Sequence, residues 1–287
     1  MSQKYLLVSL LIFVIFIVLF GIYMSQNLNR EYKRSVRQGF ELNFGEKKGL
    51  LTLDDIRHLP NPVQKYLIYV GAVGKEKVQN VKLIAAGEMK MNLKSGWSKI
   101  NFEQYNFFAS HLTRLFYIKL NMLGIPILGL HSYTDANASM LVKLGGLIPV
   151  VDVKGREMRI SDTVTLLNDM SIFAPAALID NRIRWESIDD HTAKAIFNPG
   201  YCTVSAVLYF NDRGELVNFI SDDRYSLEED GSFKKIRWST PIRDYQERNG
   251  IKLASYAEAV WNRPEGDDSY FRLKNIRQIR LNCDMAQ

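Results

Sequence analysis

The side chains of this 287-residue chain whose types could do chemistry are four histidines, two cysteines and four adjacent Asp-Asp pairs, and their spacing assigns none of them a reaction. Zinc needs ligands brought to one point, usually announced by short fixed spacings. His58, His111, His131 and His191 fall on separate segments and read as surface or hydrogen-bonded residues, so no metal site is predicted. Paired carboxylates share a proton only if both enter one site. Successive residues on a strand point to opposite faces, which separates Asp222 from Asp223, while Asp189/Asp190 and Asp267/Asp268 lie at turns where Asp bonds its own backbone. The chain has no phosphate-binding GxxxxGK loop, no GxGxxG fingerprint, no HExxH and no GxSxG elbow. No catalytic residue and no cofactor is predicted: a hydrolase needs a nucleophile, a base and an oxyanion donor in one pocket, and no such set is visible. Cys202 shares an apolar strand face with Val204, Ala206, Leu208 and Phe210 and reads as a buried thiol, with its pairing to Cys283 left open.

Binding is better represented. In Phe219-Ile220-Ser221-Asp222-Asp223-Arg224-Tyr225, strand alternation places Asp222 and Arg224 on one face. Glu258, between Tyr256 and Trp261, and Glu186, next to Trp185, could join them from other strands. Such charges either line a cavity or form an ion pair that fixes sheet register. Trp97, Trp185, Trp238 and Trp261 each fall in a predicted strand, and a wide curved sheet whose concave face is not filled offers an aromatic-lined hollow for an acyl chain or other apolar ligand. The candidate ligand-binding residues are therefore Trp185, Arg224, Trp238, Glu258 and Trp261.

The elements that must position them are mostly strands. After Gly74 the hydrophobic period changes from near 3.6 to 2, as in Val81, Leu83, Ala85 and then Met89, Met91, Leu93. Strands are predicted over 78–93, 97–107, 115–122, 127–136, 138–145 and 148–154, then over 182–188, 191–198, 201–211, 215–226, 233–240, 250–262 and 268–282, with Asn211 to Gly214 as a hairpin turn. One helix interrupts them, with Asp162 as its N-cap, Val164, Leu167 and Met170 at helical spacing, and Pro175 as its stop. An earlier short amphipathic helix carries Val63, Tyr66, Leu67 and Val70 behind Asp54, Asp55, Pro60 and Pro62. Roughly a dozen strands and two helical segments predict an α+β fold, mainly β: a large curved antiparallel sheet or incompletely closed barrel with helices over one opening.

A different signal precedes this domain. No charged residue or His occurs from Tyr5 through Asn29, and Leu6 to Tyr23 is an apolar run whose eighteen residues span about 27 Å as a helix, close to the roughly 30 Å hydrocarbon thickness. The run is longer than a signal-peptide core, and Tyr23 occupies the place of a small cleavage-site residue, so a retained anchor is predicted. The chain divides into a transmembrane anchor (5–24), a juxtamembrane linker (25–51) and a β-rich domain (52–287). Its net charge of +6 is concentrated near the anchor, because Lys4, Arg30, Lys33, Arg34 and Arg37 against Glu31 contribute +4, leaving +2 for everything after residue 37. A nearly neutral domain argues against nucleic acid, whereas a juxtamembrane basic cluster suits anionic headgroups or a solvated helix face. The positive-inside rule and the short N-terminal tail point opposite ways on the side occupied by the large domain.

Ordered motifs complete the reading: Leu59-Pro60-Asn61-Pro62-Val63-Gln64-Lys65-Tyr66-Leu67, Asn168-Asp169-Met170 with Ala174 to Leu178, Arg182 to Glu186, Ser221 to Arg224, Trp238 to Pro241 and Glu258 to Trp261. In this the chain resembles a bacterial family of unknown function with an LPxPVQxYL start, over roughly residues 52 to 275. The resemblance implies a bacterial, often membrane-associated protein and brings no catalytic residues. In some related sequences Arg and Glu stand where this chain has Thr165 and Asn168 or Asp169. The pattern is also loosely similar to the half-open barrels of bacterial lipoprotein carriers, an analogy of architecture. The expected function is a protein anchored in the bacterial cell membrane that binds an apolar or lipid-like ligand on its concave face. The alternatives are a scaffold or interaction module of an envelope complex, with an envelope protein as partner, and a hydrolase with an unrecognised site.

Overall fold

The computed structural model describes residues 9–10, 12–13, 15, 23–45, 49–91, 95–135 and 137–285. Within them the two-residue period becomes strands β1 (Asn80–Lys90), β2 (Trp97–Phe107), β3 (Thr113–Met122), β4 (Ile125–Thr134), β5 (Asn137–Leu144) and β6 (Ile148–Lys154). After a helical segment come β7 (Ile183–Asp189), β8 (Thr192–Phe197), β9 (Val204–Phe210), β10 (Leu216–Ser221), β11 (Tyr225–Leu227), β12 (Phe233–Lys235), β13 (Trp238–Arg248), β14 (Ile251–Arg263) and β15 (Gly266–Leu281). The helices are α1 (Asn27–Leu42), α2 (Leu53–Ile56), α3 (Asn61–Tyr69) and α4 (Arg156–Phe173), which runs into a 3-10 turn at Pro175–Ile179.

Thirteen strands form one antiparallel sheet in the order β6-β5-β4-β3-β2-β1-β15-β14-β13-β10-β9-β8-β7, and β11 pairs with β12 apart from it. The sheet does not close, since β6 and β7 are its edges, and the chain crosses from one edge to the other through α4. That crossing shapes the molecule. α4 touches β5, β9 and β14, although β5 and β9 lie nine strand positions apart. In a flat sheet at about 4.8 Å per strand they would be about 43 Å apart, against a helix diameter of about 10–12 Å, so the sheet must wrap around the helix. At Gly87 the pairing of β1 with β15 shifts register, and a Cβ there would lie 2.1 Å from the Arg272 carbonyl oxygen; only glycine permits this approach, which helps the sheet bend.

Every residue from Ser161 to Leu178 is buried, so α4 is a core helix on all sides and its polar side chains need partners inside the protein. It begins at Arg156 behind Gly155, which corrects the expected N-cap: Asp162 lies well inside the helix and is fully buried. Two strand boundaries are also corrected. The stretch 215–226 breaks after Ser221 into β10 and β11, and β13 runs on to Arg248. Cys202 precedes β9 as a half-buried free thiol, and Cys283 is free and buried.

The segment expected as a linker holds a docked helix. Leu28 and Tyr32 of α1, with Val36 and Phe40, pack on Tyr105, Phe107, Leu115, Tyr117 and Leu130, the residues of β2, β3 and β4 that face away from α4. The Tyr32 ring stacks on Tyr117 at 5.2 Å. The opposite face of α1 exposes Lys33, Arg34 and Arg37. The expected anchor at 5–24 falls mainly on residues outside those described; among the described residues no helix is long and apolar enough to cross a membrane.

Candidate functional site

α4 fills much of the concave face and leaves a hollow of about 130 Å³ beside its C-terminal half. Its apolar wall includes Phe102 on β2, Phe116 on β3, Phe173 on α4 and Phe271 on β15, with Phe102 in ring contact with both Phe116 (5.0 Å) and Phe271 (5.7 Å). The volume is close to that of a cavity that takes benzene and well below a typical pocket of about 300–1,000 Å³.

The polar wall is built on Asp169. Alternation on β2 turns Gln104 and Asn106 inward, and the β2–β3 register sets Asn106 opposite Arg114. All three donate to one carboxylate oxygen of Asp169, from Gln104 Nε2 at 2.7 Å, Asn106 Nδ2 at 3.1 Å and Arg114 Nε at 2.7 Å. Arg114 and Asp169 are both buried, so this is an ion pair shielded from water whose lone pairs are used by further donors. Asp162 lies seven residues earlier on the same helix face, and its carboxylate sits 2.8 Å from His131 Nε2.

Arg224 is held differently. Its guanidinium lies 4.2 Å from the centre of the Trp238 ring and 5.3 Å from that of Trp261, and donates to Tyr270 Oη at 2.9 Å. Tyr270 Oη also accepts from Trp238 Nε1 at 3.1 Å, which leaves the phenol proton free to donate. Asp222, expected beside Arg224, pairs with Arg237 at 2.8 Å, because the strand ends at Ser221 and alternation no longer applies. Asp223 binds Lys235. Among the described residues Arg224 therefore forms no ion pair, whereas Arg114, His131 and Glu258 around the same hollow each have an oppositely charged or carboxylate neighbour. Three buried polar atoms of the lining also have no hydrogen-bond partner: Arg224 Nε, Asn168 Nδ2 and Thr240 Oγ1. All three can donate, and the first two can only donate.

Three of the five candidate residues border this hollow. Arg224 and Trp238 contribute as described, and Trp261 stands behind Arg224, stacked on Tyr270 at 5.7 Å. Glu258 borders the hollow with its carboxylate already engaged by Ser269 Oγ at 2.6 Å, by Tyr256 and by Arg272 Nε at 3.4 Å. Burial pushes its pKa up, but the Ser269 and Tyr256 hydrogen bonds and the Arg272 charge carry it below the usual carboxylate range. A lowered pKa stabilises the fold above the ordinary glutamate value of about 4.3, and that contribution disappears as pH falls through the folded value. Glu258→Gln is accordingly expected to lower the urea midpoint at pH 7 and to leave it nearer the parent's at the acid end; an equal loss at both would contradict this. Trp185 is elsewhere, on edge strand β7 with its indole nitrogen 3.3 Å from the Leu178 carbonyl, and Glu186 pairs with Arg184 beside it.

Sequence reasoning missed Gln104, Arg114, His131, Asp169 and Tyr270 as partners in one site. The usable signal was Asp162 and Asp169, a heptad apart and so on one face of a helix that also carries Val164, Leu167 and Met170, where buried carboxylates require cations. Among the described residues no three His, Cys, Asp or Glu side chains converge to hold a metal ion.

The protein is thus an unclosed antiparallel sheet wrapped on a buried helix, with a small hollow between them. Residues 49–273 match a family of unknown function (DUF6544), and the chain belongs to that family. No curated protein matches it. Similar solved structures include a domain described as an outer membrane lipoprotein-sorting protein from Vibrio parahaemolyticus, at 9% identity, 80% of this chain and 92% of that chain covered, and TM-score 0.41. A DUF1329 family protein from Desulfovibrio piger is similar at 12% identity, covering 78% and 94%, with TM-score 0.39. A LolA superfamily protein from Nitrosomonas europaea is similar at 11% identity, covering 77% and 94%, with TM-score 0.38.

Proposed function

We propose that this protein binds a small lipid-like anion in the hollow, with the ligand's oxygens on Arg224 and its apolar body against Phe102, Phe116 and Phe271, and that residues 5–24 hold it at the bacterial cell membrane. One observation carries the reading: among the described residues the hollow is bordered by a guanidinium, Arg224, that forms no ion pair, and by orphaned donors, beside a wall of aromatic rings. A half-buried cation and buried unpaired donors are costly when left without acceptors and are stabilised by an acceptor that brings negative charge. The volume restricts the part held inside to a short apolar body.

The test compares hexanoate with hexan-1-ol by calorimetric titration of the full chain in phospholipid nanodiscs. Hexanoate is expected to bind saturably and about ten- to a hundredfold more tightly, the worth of a charge-assisted hydrogen bond. Arg224→Met is expected to erase that preference while the far-UV spectrum stays that of the parent. Equal affinity for the two probes, or no saturable binding of either, would overturn the reading.

A further inference from the structure

Six exposed apolar side chains gather at one end of the sheet: Met122, Leu123 and Ile125 at the β3–β4 turn, and Leu147, Ile148 and Val150 at the β5–β6 turn. β4 pairs with both β3 and β5, and the Gly145 amide donates to the Pro126 carbonyl at 2.7 Å, so the two tips are neighbours. A contiguous apolar patch facing water marks an interaction surface. The first tip is also made at a cost. Leu123 has φ +51° and Gly124 φ +86°, the pair of left-handed conformations that a tight hairpin turn normally gives to Asn-Gly. A leucine there is strained by its Cβ, and its side chain is 98% exposed, gaining no burial within the protein.

Charge and position identify what covers it. From Lys119 to Leu128 and from Lys143 to Val151 the only charged residues are the two lysines, and among the described residues neither forms an ion pair. Lys119, Leu128 and Lys143 are register partners across β3, β4 and β5, which sets both ammonium groups in one row behind the apolar tips. Ser25, just past the apolar run, packs on the second tip, where a Cβ on Gly146 would meet the Ser25 carbonyl oxygen at 2.7 Å. The described chain just after the run therefore lies at this patch. We infer that the β3–β4 and β5–β6 tips form a membrane-seating surface, with Leu123 and Ile148 in the acyl region and Lys119 and Lys143 at lipid phosphates. This arrangement matches how interfacial segments bind, apolar residues inserted and basic ones at the headgroups. The inference rests on the proposed membrane placement and is independent of the ligand in the hollow.

The experiment uses the full chain in vesicles of phosphatidylcholine and phosphatidylglycerol carrying a lipid with a diazirine in its acyl chain, with photo-adducts mapped by mass spectrometry. Adducts on 122–125 and 147–150 are expected at about tenfold the yield on Ile188, a similarly exposed apolar residue on β7. Leu123→Asp with Ile148→Asp is expected to bring that ratio to about one while adducts within 6–23 persist. Adducts confined to 6–23 would overturn the seating surface and leave the anchor standing. No adducts anywhere would overturn both, and amine cross-links joining Lys119 of two copies would assign the patch to a second copy instead.

Discussion

Asp169→Asn is expected to destabilise the protein by about 3–5 kcal/mol, the cost of leaving a buried charge without its partner. The substitution keeps the size of the side chain, so the effect isolates the charge. Arg114 is only 9% exposed at its side chain and its Nε lies 2.7 Å from the carboxylate that would be lost. The residues around it on α4 are buried, so a water in the hollow could supply an acceptor there but not the lost negative charge. For a domain whose total stability is about 5–15 kcal/mol this is a large fraction. Urea midpoints of the full chain in mild detergent give the measurement, and the double variant Asp169→Leu with Arg114→Met supplies the control. The double variant removes both charges and is expected to cost less than the sum of the two single changes. A loss below about 1 kcal/mol for Asp169→Asn would show that the pair is not shielded.

Gly39→Leu is expected to release α1 from the sheet. A Cβ at residue 39 would meet the Phe107 ring at 2.5 Å, and that ring has nowhere to go: it is fully buried, with Phe40 edge-on at 5.0 Å and Tyr105 stacked at 6.2 Å. Each fully buried apolar side chain is worth about 1.5–3 kcal/mol, so uncovering Leu28 with the Tyr32 and Phe40 rings costs on the order of 4 kcal/mol. The loss is local, because α1 packs on the face of the sheet away from α4. Trypsin is expected to cut at Lys33, Arg34 and Arg37 much faster in the variant, and a dye for apolar surface to bind it. Gln38→Leu, one residue away on the exposed face, is the control, and equal cleavage of the two variants would show that α1 is not held by this contact.

These two effects concern residues of different legibility. Leu28, Tyr32 and Phe40 repeat at helical spacing, so the face of α1 could be read locally, but nothing nearby in the chain says that Phe107 lies under Gly39. Asp169 is harder still. Its three donors are 55 to 65 residues away in sequence, on β2 and β3. Arg224 shows the reverse failure. Alternation set it beside Asp222, and a bend after Ser221 sends Asp222 to Arg237 and turns Arg224 between two tryptophans.

Legible in the chain alone were the apolar run at 6–23, the two-residue period of most strands, the hairpin turn at Asn211 to Gly214 and the concentration of basic charge before residue 38. Each depends on the order of a few neighbouring residues along one backbone. That α1 docks, that α4 occupies the concave face and that Gln104, Arg114, Asp169, Arg224 and Tyr270 border one small hollow depends on packing between distant segments. Strand periodicity assigns a side chain to a face, whereas its neighbours across that face depend on how thirteen strands curl around one helix.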